Sequence, residues 1–155
     1  MLRPGHRALG WSTVDALESY RGEALGLPRE GVGAAGSFLR RLVALVVDWS
    51  LCQVIATGLL GMQWGQVSGT QAFLPLGLFF VLNLVLVTTL GTTIGHRLVG
   101  IRVVSLDGDG YQAPPPGRSI VRAALLCLFV PAVIMDVDGR GLHDKAARTV
   151  VVKAR

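Results

Sequence analysis

Two apolar runs of membrane-crossing length, joined by a segment without lysine or arginine, limit what this chain can fold into more than any other feature. Leu42 to Leu60 reads LVALVVDWSLCQVIATGLL, 19 residues with a single charge at Asp48, and Phe73 to Leu90 reads FLPLGLFFVLNLVLVTTL with no charge. At about 1.5 Å per helical residue the first run extends roughly 28 Å, close to the hydrocarbon thickness of a bilayer. Composition agrees: 16% of residues are charged, against about 25% in an ordinary soluble domain. A disordered basic tail, a coiled coil and a disulfide-stapled module are excluded. Despite a formal net charge of +5, no nucleic-acid partner is expected, because polar surface is too scarce. The expected fold class is an all-α membrane protein with two transmembrane helices, a third short or re-entrant apolar helix, and a small cytoplasmic β ribbon.

The placement of basic residues predicts orientation. Arg40 and Arg41 open the first run, Arg97, Arg102, Arg118 and Arg122 follow the second, and 63–71 carries none. By the positive-inside rule the amino terminus and 91–118 face the cytoplasm of a bacterial plasma membrane, and 63–71 faces out, with Trp64 at the outer interface. Helices are expected over about 38–62 and 72–90, the latter with Pro75 in its first turn, where a missing N–H costs little.

The third run is shorter. Only 13 uncharged residues separate Arg122 from Asp136, and Pro131 interrupts them. A full crossing would also place Arg140, Lys145, Arg148, Lys153 and Arg155 outside, against the positive-inside rule. The reading preferred is a re-entrant or interfacial helix over about 119–135, bent at Pro131, with the carboxyl terminus back in the cytoplasm. Two β-branched runs favour this. IRVVSL at 101–106 ends in a turn signal at Asp107-Gly108, TVVVK occupies 149–153, and pairing them satisfies both backbones. APPPG at 113–117 reads as a stiff linker. Residues 1–36 read as a flexible cytoplasmic arm, with a short helix from Thr13 to about Leu25 capped by Ser12 and ended by Pro28; 37–155 form the membrane domain.

Asp48 is the most informative residue. A carboxylate inside a membrane helix costs about 2.5–3.5 kcal/mol on insertion scales and usually finds a partner. No basic residue occupies position 44, 45, 51 or 52, so its partner comes from another segment, with Arg122, Arg102 and Arg97 as candidates in that order. It is either a structural ion pair locking the first helix to the cytoplasmic layer or a proton- or cation-handling group. Asn83 and Gln53 read as interhelical hydrogen-bonding groups. Cys52 and Cys127 read as packing residues, and no Cys/His spacing suits a metal. GTTIGHRLVG at 91–100 lacks the lysine of a phosphate-binding loop; it reads as a tight turn with Arg97 and Arg102 at anionic headgroups. His143-Asp144 has no accompanying nucleophile, and Asp144 reads as a cap or an ion-pair partner for Arg41 and Arg40. No catalytic residue, cofactor or metal is expected.

Three phrases together are distinctive: FLRRLVALVVD from Phe38 to Asp48, GTTIGHRLVGIRVV from Gly91 with Asp107-Gly108 after it, and LHD with TVVV between Leu142 and Val152. In this order they resemble the RDD family of small bacterial membrane proteins, named for one arginine and two aspartates. The resemblance covers roughly 36–153 and implies Arg41, Asp48 and Asp144 as the signature residues, with ion transport as one suggested activity. Here the stretch between the 118–122 region and the Leu-His-Asp phrase is shorter than is typical, which speaks against a self-contained transport path. The expected function is a non-enzymatic accessory or assembly subunit of a larger membrane complex, with Gly58, Gly61 and Gly77 as close-approach positions for other subunits or for self-association. The alternative is a proton-coupled ion transporter acting as a homo-oligomer, with Asp48 as the coupling carboxylate.

Overall fold

Ser37 starts the first long helix, its side-chain oxygen accepting from the Arg40 N–H at 3.4 Å, and α1 runs over Phe38–Gly58. The structure, a computed structural model, describes residues 20–62, 69–107, 112–128 and 140–155. A 3-10 turn at Gly69–Phe73 leads into α2, Leu74–Leu90, which has proline in its first turn and ends at Gly91 with φ 65°, a left-handed conformation suited to glycine. Five-residue α3, Ile94–Leu98, follows, then β1, Ile101–Ser105. Helix α4 covers Pro116–Cys127; α5, Leu142–Ala146, and β2, Thr149–Lys153, close the described chain.

The β ribbon forms as expected. β1 and β2 pair antiparallel with Val103 opposite Val151 and Ser105 opposite Thr149. Both faces are buried, which accounts for unbroken β-branched runs where a half-exposed strand would alternate. Ile101, Val103 and Val151 pack with Ala44 of α1 and Val87 of α2, while Val104, Val150 and Val152 pack beneath Leu27. The strand edges are covered too. Gly36 N–H donates to Val151 O at 2.8 Å and Lys153 N–H to Ala34 O at 2.8 Å, so 33–36 flanks β2; on the other side Val103 N–H reaches Gly91 O at 2.7 Å. Covered edges remove the unpaired backbone groups that invite intermolecular pairing.

Several expectations change. The arm expected over 1–36 is packed from Tyr20 onward, because Leu25 and Leu27 cover the outer ribbon face; 1–19 lie outside the described residues, so of the expected Thr13–Leu25 helix only a 3-10 turn at Glu23–Leu25 is described. α1 ends at Gly58 rather than 62. The segment after Gly91 is a capped helix rather than a plain turn. APPPG is only partly a linker, since Pro116 begins α4 and the Ser119 N–H donates to Pro115 O at 3.1 Å. Trp64, Pro131 and the second half of the expected 119–135 helix lie outside the described residues.

Among the described residues one helical segment, Gly69–Leu90, is long and apolar enough to cross a membrane by length and composition, and 22% of its most apolar window is buried within the chain. That low burial distinguishes it from the core helix of a soluble domain. α1 and α4 pack against it through Cys52, Phe79 and Leu126. α3 crosses α1 so closely that a Cβ on Gly95 would lie 2.2 Å from the Ala44 carbonyl oxygen. Gly95→Ala is therefore expected to destabilise the protein by about 1–3 kcal/mol, the usual range for forced overpacking. Thermal unfolding of the detergent-solubilised variant measures this, and an unchanged midpoint would show that α3 can move away.

Candidate functional site

Where α1, α3, α4 and α5 meet, two carboxylates and two guanidinium groups are gathered. Asp144, fully buried on α5, sits between two arginines: Arg41 of α1 donates from Nη1 to Oδ2 at 2.8 Å, and Arg122 of α4 donates from Nη1 to Oδ1. The Thr149 hydroxyl adds a hydrogen bond to Oδ1 at 3.1 Å. Arg41 uses all its nitrogens, its Nη2 reaching Val151 O at 3.2 Å and its Nε reaching Gly36 O at 3.3 Å. One side chain thus fastens α1 to α5, β2 and the 33–36 segment. A lysine, with a single compact ammonium, could not match that fork.

Asp48 lies one level deeper on α1. Its Oδ1 accepts the Gly95 N–H at 2.7 Å and its Oδ2 stands 2.5 Å from the Thr93 hydroxyl, so it anchors the start of α3. Thr93 is also the N-cap of α3, accepting the His96 N–H at 3.2 Å. The same hydroxyl oxygen is 2.5 Å from His96 Nδ1. Burial, and then the charges of Arg122, Arg41 and His143, hold the His96 imidazole well below its usual value of 6.5. Arg122 and Asp48 attract one another without a direct bond. Two arginines and two aspartates make the cluster formally neutral.

These groups border a cavity of about 40 Å³ lined by Arg41, Asp48, Asn83, His96, Arg122 and His143, among others. That is room for a few water molecules. Arg122 is 2% exposed and its Nε has no hydrogen-bond partner. Among the described residues no group of His, Cys, Asp and Glu could hold a metal ion.

The site brings together Arg41, Asp48, Asp144 and Arg122; Arg41 meets Asp144 as expected, but the expected pairing of Arg122 with Asp48 is not the one found. Arg122, the first candidate for Asp48, is bonded to Asp144 instead, because α5 carries that carboxylate into the α4 contact. Arg102 and Arg97 are elsewhere, in a groove of about 240 Å³ with Arg155 and Thr92 beside the end of α2. Arg40 does not join Asp144; it donates to Val99 O at 2.9 Å. Thr93, Gly95 and His96 were missed by sequence reasoning. A threonine three residues before a histidine, where a chain re-enters a helix after a glycine, was the available capping signal.

A mainly helical chain with a membrane-length apolar helix and buried, paired charges at the helix ends defines a small helical membrane protein. The chain belongs to the RDD family, whose family model matches residues 35–148. The match ends short of β2 yet includes the complete Arg41, Asp48, Asp144 and Arg122 cluster. Comparison with curated proteins and with solved structures gives no match.

Removing the carboxylate should be costly. Asp144→Ala takes from Arg41 and the buried Arg122 the carboxylate they share, leaving Asp48 alone to balance two guanidinium groups, and loss of one partner of a buried pair typically costs about 3–5 kcal/mol. Thermal unfolding of Asp144→Ala, Arg122→Met and the double variant should show the double less destabilised than the sum. Additive losses would mean that the two side chains do not interact.

Proposed function

We propose that this protein is a non-enzymatic accessory or assembly subunit of a larger complex in the bacterial plasma membrane. In this reading α1 and α2 both cross, the amino and carboxyl termini lie in the cytoplasm, and α4 begins a segment that returns to the same side. The ribbon supports that arrangement, since β1, β2 and 33–36 share one layer and need a common side of the membrane. Arg97, Arg102 and Arg155 then lie at the inner leaflet, where their groove suits anionic lipid headgroups.

The observation that carries the subunit reading is the internal satisfaction of the charges set against the openness of the helix faces. Each oxygen of Asp48 and Asp144 has a partner inside the chain. By contrast Val46, Val54 and Val81 are 56%, 66% and 52% exposed, and a Cβ at Gly58 or Gly77 would meet nothing within 4 Å. An apolar groove of about 470 Å³ between α1, α2 and α4, lined by Trp49, Leu76 and Phe79 among others, is of a size that can receive side chains of a partner helix. Extraction of the native membrane into lipid nanodiscs, followed by mass measurement, tests this. A larger assembly with a reproducible second subunit is expected; a bare monomer would end the reading.

A second reading, a proton-coupled transporter acting as a homo-oligomer, draws on the cavity, where Asp48, Asn83 and His96 meet. It predicts that Asp48→Asn inserts and folds yet loses ion flux in reconstituted vesicles. Undiminished flux in that variant would remove it.

A further inference from the structure

Two short contacts in the interior join three groups in a row. The Thr93 hydroxyl oxygen is 2.5 Å from Asp48 Oδ2 and 2.5 Å from His96 Nδ1, and it accepts the His96 backbone N–H at 3.2 Å. A hydroxyl offers one donor and two acceptor positions, so these three neighbours fill its hydrogen-bonding capacity. With the backbone N–H fixed as a donor, the remaining hydrogens can be placed in two complementary ways.

We infer that Asp48, Thr93 and His96 form a proton relay, in which a proton taken up at His96 Nε2 is delivered as a proton on Asp48. In the first arrangement Asp48 is a carboxylate, the Thr93 hydroxyl donates to it, and His96 Nδ1–H donates to Thr93. A proton from a hydronium ion then forms an N–H bond at Nε2, leaving water. The Nδ1–H bond breaks as its proton passes to Thr93 Oγ1, and the original Thr93 O–H proton passes to Asp48 Oδ2. In the second arrangement Asp48 is a carboxylic acid donating to Thr93, Thr93 donates to Nδ1, and the imidazole is neutral with its hydrogen on Nε2. Atoms and charge balance: one proton enters, and one carboxylate is neutralised.

Surrounding groups favour passage over storage on the ring. Burial disfavours an imidazolium, and so do Arg41 from α1, Arg122 from α4 and His143 from α5; Asp144 beside His143 is already engaged by both arginines. His96 lines the charged cavity, which has room for a few water molecules, and Nδ1 is committed to Thr93. Nε2 is then the nitrogen left for exchange. The tie between α1 and α3 survives in both arrangements, because Asp48 Oδ1 accepts from the Gly95 N–H whether or not Oδ2 is protonated. Delivery of the proton changes the cluster from formally neutral to +1.

The relay stands independently of the subunit reading and supplies the transport reading with its proton step. The test is nuclear magnetic resonance of the full-length chain with nitrogen-15 histidine in lipid nanodiscs, His96 being assigned from the signals lost in His96→Gln. On acidification His96 should exchange its Nδ1–H tautomer for the Nε2–H tautomer without accumulating as an imidazolium. Asp48→Asn should lock the Nε2–H tautomer at every pH, since an amide permanently donates to Thr93. Thr93→Ser should keep the exchange and Thr93→Val should lose it. A His96 that becomes an imidazolium, or keeps one tautomer across the titration in the unaltered protein, would overturn the relay, as would an exchange retained in Thr93→Val. Tautomer exchange without ion flux would remove the transport reading and leave the relay standing.

Discussion

The buried carboxylate of Asp144 is the point on which the other elements depend. It sits on a helix of five residues, too short to be stable by itself, yet it holds Arg41 from the first long helix and Arg122 from α4 at once. Two cations brought together without it would repel. With it, and with Asp48 nearby to complete the balance of charge, the helix ends can be drawn into one layer. Buried ion pairs are not a general source of stability, because desolvation offsets much of the attraction. What this one supplies is definition: the bidentate reach of Arg41 to Asp144 and Val151 fixes how α1 stands on the ribbon.

The ribbon is the complementary device. A two-stranded ribbon alone is marginal in water, and this one is stabilised by apolar contacts on both faces and by backbone partners at both edges. Helices α1 and α2 supply one face through Ala44 and Val87, and the segment before α1 supplies the other through Leu27. The cluster and the ribbon therefore support each other. Thr149, the first residue of β2, donates to Asp144, so the last strand orients the carboxylate that in turn places Arg41.

Much of this was legible in the sequence, and the boundary follows physical range. Apolar run length gave the long helices, and the β-branched runs 101–106 and 149–153 named the ribbon, because period and side-chain type are local signals. Asp48 stood out because an acid in an apolar run needs a partner, but its partner was not predictable. The expectation of an arginine rested on charge, whereas the structure meets the acid with a hydroxyl and a backbone N–H at the start of α3, groups that no count of charges reveals. Arg122 went to Asp144 because packing of α4 on α5 decides the match, and that contact is non-local. The packing of 20–36 was hidden for a similar reason. Two leucines in a polar, glycine-rich stretch look unremarkable until a strand pair with an uncovered apolar face lies beneath them.

The span in sequence of the Arg41 contacts has a consequence for how the chain is made. Its bonds to Asp144 and Val151 bridge 103 and 110 positions. α1, with Arg41 at its start and Asp48 within it, is synthesised long before α3, α5 or β2 exists to receive those charges. Entry into the membrane and completion of the fold are thus separate events in time. The polar groups of α1 must be held by other partners until synthesis has passed Val151, and are released to their own only when β2 joins the ribbon.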